Sequence, residues 1–362
     1  MHRAMGSYLL KRLLLMIPTL LGVMLLTFTI VQFVPGGPIE QIISDLQNGA
    51  NAGDRLNSGS DTQGDDQGGK YRGAEGLDPE TIKKLEKQFG FDKPAPERFR
   101  AMLWNYLRFD FGQSYFNDKP VLSLIREKMP VSASLGLWLL IITYSISIPL
   151  GIRKAVKDGS NFDLWTSGVI TVGYAIPNFI FAILLIVLFA GGSFFNWFPL
   201  RGLTSDDFAT LGVWGKLKDY VWHLVLPLLA IGISGFATMT LLTKNSFMDE
   251  IRKQYVVTAR AKGLSERRVL YGHVFRNAML LVISGFPGAF LAAFFTGSLL
   301  IEQVFSLDGL GLLTYNSVIR RDYPVVFANL YILTLMGLFV SLLSDLISTW
   351  IDPRIDFESR EV

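Results

Sequence analysis

The sequence predicts an all-α protein that crosses a membrane several times, and three observations predict it. Half of its 362 residues are hydrophobic and only 18% are charged, against about a quarter in soluble proteins. Six apolar runs, near 13–34, 131–152, 164–190, 223–243, 278–301 and 325–350, reach the roughly 20 residues that a helix needs to cross a bilayer. The short alternating strands of a membrane barrel do not occur in the pattern. Mean hydropathy is +0.35 and net charge +3, so the placement of charge carries more information than its sum. The chain has no cysteine, which removes disulfides, thiol nucleophiles and cysteine-bound metals together.

The first run follows Lys11 and Arg12 and ends in PGGP. It exceeds the 7–15 residues of a signal-peptide core and has no small-residue cleavage site, so it reads as a retained helix. The residues before Met5 make Met5 an alternative start. With the N-terminus inside, the segments 1–12, 153–163, 244–277 and 351–362 hold 16 Lys and Arg, and the short outer loops 191–222 and 302–324 hold 5. Cytoplasmic loops carry the basic excess, so both termini are expected in the cytoplasm. The resulting organisation is 1–34 (N-terminus and first helix), 35–130 (outer insertion), 131–350 (helices two to six) and 351–362 (tail).

The insertion has two parts. Residues 44–76 contain eight glycines and few large aliphatic side chains, too little apolar surface to offset ordering. Within them GDDQGGKY approximates phosphate-loop spacing, but Tyr71 stands where the Ser or Thr should be and no strand precedes it, so ATP binding by this chain is rejected. Residues 77–130 read as amphipathic helices. Asp78 and Pro79 open the first, with Ile82, Leu85 and Phe89 on one face. A second follows Pro96 with Phe99, Met102, Leu103 and Leu107, and a third at 121–129 lies just before helix two.

Reactive groups are scarce. The three histidines, His2, His223 and His273, form no metal or nucleophile motif, and the latter two fall near helix ends. Asp345 and Glu302 are the acids inside or closing apolar runs. Both lie near an interface and read as structural, and they build no proton relay. Pro18, Pro149, Pro177, Pro227 and Pro287 lie inside five of the six runs. Helix breaks are tolerated where freed backbone groups meet neighbours or a wet cavity, so Pro177 and the SGFPG stretch, with Phe286, Pro287 and Gly288, are candidates for a translocation path.

The longest cytoplasmic loop, 244–277, is basic and helix-forming. In MDEIRKQYVVTARAK the residues Ile251, Tyr255, Val256 and Ala259 fall at helical spacing. Gly263 suits the left-handed position that ends a helix. Ser265 then caps a second helix, Glu266 suits its positive end, and Val269, Leu270 and Val274 form its stripe. A helix, a tight turn and a helix make a docking knob whose small residues permit close approach. The competing reading is a basic loop that only sets topology and touches anionic lipid.

TARAKGLSERRVLYGHVFRNA resembles the coupling motif of importer permeases of the ATP-binding cassette class, in the form found in dipeptide and oligopeptide permeases. The segments YLLKRLLLMIPTLLGVMLLTFTIVQFVPGGP, FGFDKPAPERF, LRFDFGQSY, SIPLGIRKA, GSLLIEQVFSLDGLGLL, RDYPVVFANLYIL and DPRIDF occur in the order of that family and cover nearly the whole chain. The glycine-rich insertion, LTKNSFMDEIRKQYVVTARAKG and DPRIDFE make it most similar to the Yej-type members, associated with oligopeptide and microcin C uptake. The insertion is longer than in ordinary dipeptide permeases. The resemblance implies the six-helix type I importer permease fold in a bacterial inner membrane. It implies as partners a second similar permease, cytoplasmic ATPases (two, or one fused chain) and a periplasmic peptide-binding protein. ATP and magnesium would then sit on the ATPases, and this chain would hold no cofactor or metal, catalyse nothing itself and bind no nucleic acid. Carried over onto this sequence, Tyr255, Thr258, Ala259, Ala261, Lys262, Gly263, Leu264 and Ser265 would enter a cleft of the ATPase. A stand-alone proton-coupled carrier or channel, and a receptor scaffold, are the other classes.

Overall fold

The architecture was obtained as a computed structural model, which describes residues 2–33, 83, 86–87, 92–117, 119–295 and 299–351. The glycine-rich stretch 44–76, most of the helix expected after Asp78, and the tail after Ile351 lie outside the described residues. The described chain is helical, and its one β element is a bridge between Gln113 and Pro120.

In chain order the helices are α1 (His2–Phe33), α2 (Ala95–Tyr106), α3 (Val121–Val156), α4 (Asn161–Ala175), α5 (Asn178–Phe189), α6 (Val213–Ile251), α7 (Gln254–Ala261), α8 (Glu266–Val269), α9 (Phe275–Phe295), α10 (Leu299–Val304), α11 (Leu310–Arg320) and α12 (Tyr323–Ile351). A π turn at Leu270–Val274 joins α8 to α9 without a break. Among the described residues, five helices are long and apolar enough to span a membrane, and α4 with α5, bent by 98°, makes a sixth if the pair is one span.

Several boundaries differ from the sequence expectation. Residues 121–129 are no separate helix: α3 runs through Pro130 and Pro149 for 36 residues. The α6 helix begins ten residues earlier than its apolar run and places His223 inside the helix, buried, with Nδ1 2.8 Å from the Asp219 carbonyl. The SGFPG stretch, a candidate break alongside Pro177, stays helical: α9 passes through Pro287. The break falls instead at Ile176, which is extended (φ −83°, ψ 121°) before Pro177, because a residue preceding proline is pushed out of helical geometry. Helix α2 starts at Ala95 rather than after Pro96, and Leu107 is exposed.

The chain divides into two compact units. The smaller gathers 14–127 and 314–335. Its core is aromatic: Phe28 packs on Phe99 at 5.2 Å and Phe327 at 6.3 Å, and Tyr106, Phe109 and Phe111 surround Tyr331. Tyr and Phe pairs at such distances add to their burial. Asp322 is buried here and accepts from Ser114 Oγ and from the Tyr115 amide at 3.0 Å.

The larger unit gathers 1–13, 128–313 and 336–362. Two hydrophobic cores stand out among its described residues. One joins Leu135 of α3, Ala182 and Leu185 of α5, Leu224 and Ala230 of α6, and Ile301, Phe305 and Leu307. The other joins the ends of α3 and α6 to α7, α8 and α9. Small residues permit the close helix crossings: Gly136 lies against the backbone of Ala293, and Gly151 against Thr240 and Thr243.

Two acids were expected at wetted interfaces. Asp345 pairs with Arg12 at 2.9 Å and is partly exposed. Glu302 is fully buried, which corrects that expectation. Its carboxylate accepts from Ser132 Oγ at 3.0 Å and from the Leu312 amide at 2.8 Å. Those bonds replace the water that burial removes from its polar atoms.

Candidate coupling site and transmembrane cavities

The knob expected between 244 and 277 is built from three pieces. The run MDEIRKQYVVTARAK is not one helix: α6 ends at Ile251, Lys253 is extended (ψ 151°), and α7 starts afresh at Gln254. Glu250 secures this corner. It pairs with Lys253 and accepts from the Tyr255 hydroxyl at 2.7 Å. Burial, then this bond to a carboxylate, raises the Tyr255 hydroxyl above its ordinary value, so it stays a protonated donor at neutral pH.

Helix α7 ends as the glycine predicts. Gly263 has φ +79°, its amide donates to Arg260 O at 2.8 Å, and the Leu264 amide donates to Ala259 O at 3.4 Å. This pair of bonds is the Schellman closure, in which a left-handed residue satisfies the last carbonyls. Ser265 occupies the N-cap position of α8, but its hydroxyl makes no cap bond. The turn is held instead by Arg260, whose Nε and Nη2 donate to the two Glu266 oxygens at 2.9 and 3.0 Å. Sequence reasoning missed this pair, because its six-residue spacing matches no helical rule and only the turn brings it together.

The knob has an anchored underside and a free top. Val256, Val269 and Val274 are at most 1% exposed and Ala259 is buried, packed with Ile152 and Ala155 of α3 and Phe247 of α6. Thr258, Ala261, Lys262, Gly263 and Ser265 are exposed, while Tyr255 and Leu264 are half-buried. Arg260, Lys262, Arg267 and Arg268 surround them on the surface. The arrangement offers a small-residue apex with a basic rim, fixed to the ends of two long helices.

Two cavities open in the same unit. One, about 320 Å³, lies between α3, α6 and α9 and is lined largely by Leu135, Leu139, Leu140, Ile231 and Met239, with Ser132 and Glu302 at one end. The other, about 580 Å³, lies at the α4–α5 bend and is lined by Pro177, Asn178 and Ser234. The Ser234 hydroxyl donates to Asn178 Oδ1 at 2.7 Å. Of the sequence-derived path residues, Pro177 borders the second cavity. Phe286 lies edge-on to Tyr144, a wall of the first, at 5.5 Å. Pro287 is buried and Gly288 exposed, and neither lines either of these two cavities. No cluster of His, Asp and Glu suited to a metal occurs among the described residues.

Helices with the length and apolarity of membrane spans, and a short helix–turn–helix packed on the ends of two of them, define a polytopic membrane protein. The chain belongs to the family described as binding-protein-dependent transport system inner membrane component, which it matches over residues 147–357. It is 68% identical to the peptidoglycan transport system permease protein YejB of Agrobacterium fabrum, with 99% of this chain and 100% of the relative covered. It is 56% identical to the inner membrane ABC transporter permease protein YejB of Escherichia coli O157:H7, over 98% and 100%. The dipeptide transport system permease protein DppB of Escherichia coli K12 is 31% identical over 97% and 99%.

Proposed function

We propose that this chain forms half of the translocation pathway of an ATP-driven importer for peptides and peptide-like compounds, microcin C-like antibiotics included. The observation that carries the reading is the anchored knob: a rigid, basic, small-residue apex built on the ends of α3 and α6. The relatives' names, which specify dipeptide and peptidoglycan transport, support the substrate class.

In this reading the partner ATPases, two chains or one fused, receive Tyr255, Thr258, Ala261, Lys262, Gly263, Leu264 and Ser265 in a cleft, while Ala259, expected among them, faces this chain's own core. They bind ATP and magnesium and perform all hydrolysis. A second permease of the same kind completes the pathway, and a periplasmic binding protein delivers substrate to the outer face, where residues 77–130 help to receive it. Both termini lie in the cytoplasm. ATP favours the closed ATPase pair, and the knob passes that preference to the helices, so the transport cycle is a population shift between inward- and outward-open states.

The test is a gentle detergent pull-down from the native membrane, with mass spectrometry of the bound chains. An ATP-binding subunit and a second permease are the expected companions. Recovery of this chain alone, under conditions that keep known complexes whole, overturns the reading in favour of a lone carrier or channel.

A further inference from the structure

Beside the core that seats α7 lies an ionic cluster that the coupling reading does not use. Lys154 of α3 is fully buried. Its ammonium donates only into α4: to Asp163 O at 2.9 Å, Thr166 Oγ1 at 2.7 Å and Ser167 Oγ at 2.8 Å. It also lies 2.9 Å from Asp163 Oδ1, an ionic contact without hydrogen-bond geometry. Asp163 Oδ2 faces the other way, accepting from Lys244 Nζ of α6 at 2.7 Å and from the Gly159 amide at 3.2 Å. Lys244 also reaches Asp158 Oδ1 at 2.9 Å. Asp158 Oδ2 lies 3.7 Å from Arg252, the residue that follows α6.

The two lysines and two aspartates balance in charge. Such a cluster is a weak source of net stability, because desolvation offsets the attraction. Its effect is geometric: the charges are satisfied in one register of the three helices and left bare in any other. The crossing next to it is equally exacting, since a Cβ at Gly151 of α3 would come within 2.6 Å of Thr243 Cβ on α6. Helix α4 in turn leads directly to the 98° bend at Ile176 and Pro177.

We propose that Asp163 and Lys244 are positioning residues of a mechanical clamp that carries displacement of α7 through α6 into α4 and its bend. This deepens the coupling reading above and rests on it. Force on the knob then reaches the helix pair that borders a cavity, rather than ending at the membrane edge.

The test uses Lys244→Met in the assembled complex. The Lys244 side chain is 13% exposed, and its removal leaves Asp163 paired with Lys154; co-purification of the variant with its partner chains verifies that the complex is kept. The chain lacks cysteine, so Trp165→Cys on α4 and Val257→Cys on α7, both exposed, accept a clean pair of spin labels. With the clamp intact, the label-to-label distance is narrow and unchanged by ATP with vanadate. With Lys244→Met, the distribution broadens and shifts with nucleotide, ATP hydrolysed per peptide taken up rises about fivefold, and Lys244→Arg restores both. Either readout unchanged in Lys244→Met overturns the clamp. Should the unmutated complex take up no peptide, the importer reading fails separately, and the label distances alone decide the clamp.

Discussion

Gly263 and Gly309 show two different uses of a missing side chain. At Gly263 the surroundings are empty and φ is +79°, so the constraint is backbone conformation. Gly263→Ala should cost the turn about 1–2 kcal/mol without a clash, seen as faster amide exchange at 259–265 with insertion intact. Gly263→Pro or a bulky replacement should go further and uncouple ATP hydrolysis from uptake; normal uptake would reduce the loop to a topology signal. At Gly309 the constraint is space. An added Cβ would stand 2.6 Å from the Glu302 carboxyl and from Ser132 Oγ. Gly309→Ala should therefore destabilise by about 1–3 kcal/mol through overpacking. Glu302→Gln should lose a similar 1–3 kcal/mol, roughly, because a buried donor loses its acceptor. Thermal melts in detergent check both, and unchanged melting would mean that the loop at 305–311 relaxes freely.

At the scale of elements, the α4–α5 bend and the Asp322 contact each depend on one residue. Pro177 holds Ile176 extended, so Pro177→Ala removes the restriction that keeps the two helices from joining. Spin labels at Trp165 and Ile183 should then give a longer and broader distance, and an unchanged one would place the cause of the bend in packing. For Asp322, burial comes first and raises its carboxyl above the ordinary value, while the Ser114 hydroxyl, the Tyr115 amide and Arg320 pull it back. The folded protein therefore keeps this proton to higher pH than the unfolded chain. The associated stability is present below the ordinary carboxylate range and is lost as pH rises through the raised value. Melting of Asp322→Asn, relative to the unmutated protein, should improve steadily from acid to neutral pH. A constant offset at every pH would count against it.

At the scale of the whole molecule, the apolar windows of the spans are only 11–33% buried within the chain. The remaining apolar surface needs lipid or a partner helix, since contiguous exposed patches of this size do not persist in water. The orientation proposed from the basic loops has a direct test in α6. Its 39 residues extend about 58 Å, so Trp214 and Val257, at and just beyond its two ends, emerge on opposite sides. Trp214→Cys should react with an impermeant thiol reagent from the periplasmic side only, and Val257→Cys from the cytoplasmic side only. The reverse pattern would overturn the topology.

By itself the sequence determined the helical class, the apolar runs and the closure at Gly263, because hydrophobic length and left-handed glycine act locally. It also carried the family, through several motifs in a shared order. It did not reveal that α6 and α7 part at Lys253, which of the two marked prolines, Pro177 or Pro287, interrupts its helix, or that Ser265 leaves its cap unmade. It misplaced Glu302 at an interface, because depth along a helix says nothing of what folds back over it. Only the tertiary structure decided that Arg260 meets Glu266 and that Lys154 and Lys244 converge on Asp163. Those pairings join residues from different helices or across a turn, and a partner's identity is set by where three-dimensional packing brings the chain together, which no periodicity encodes.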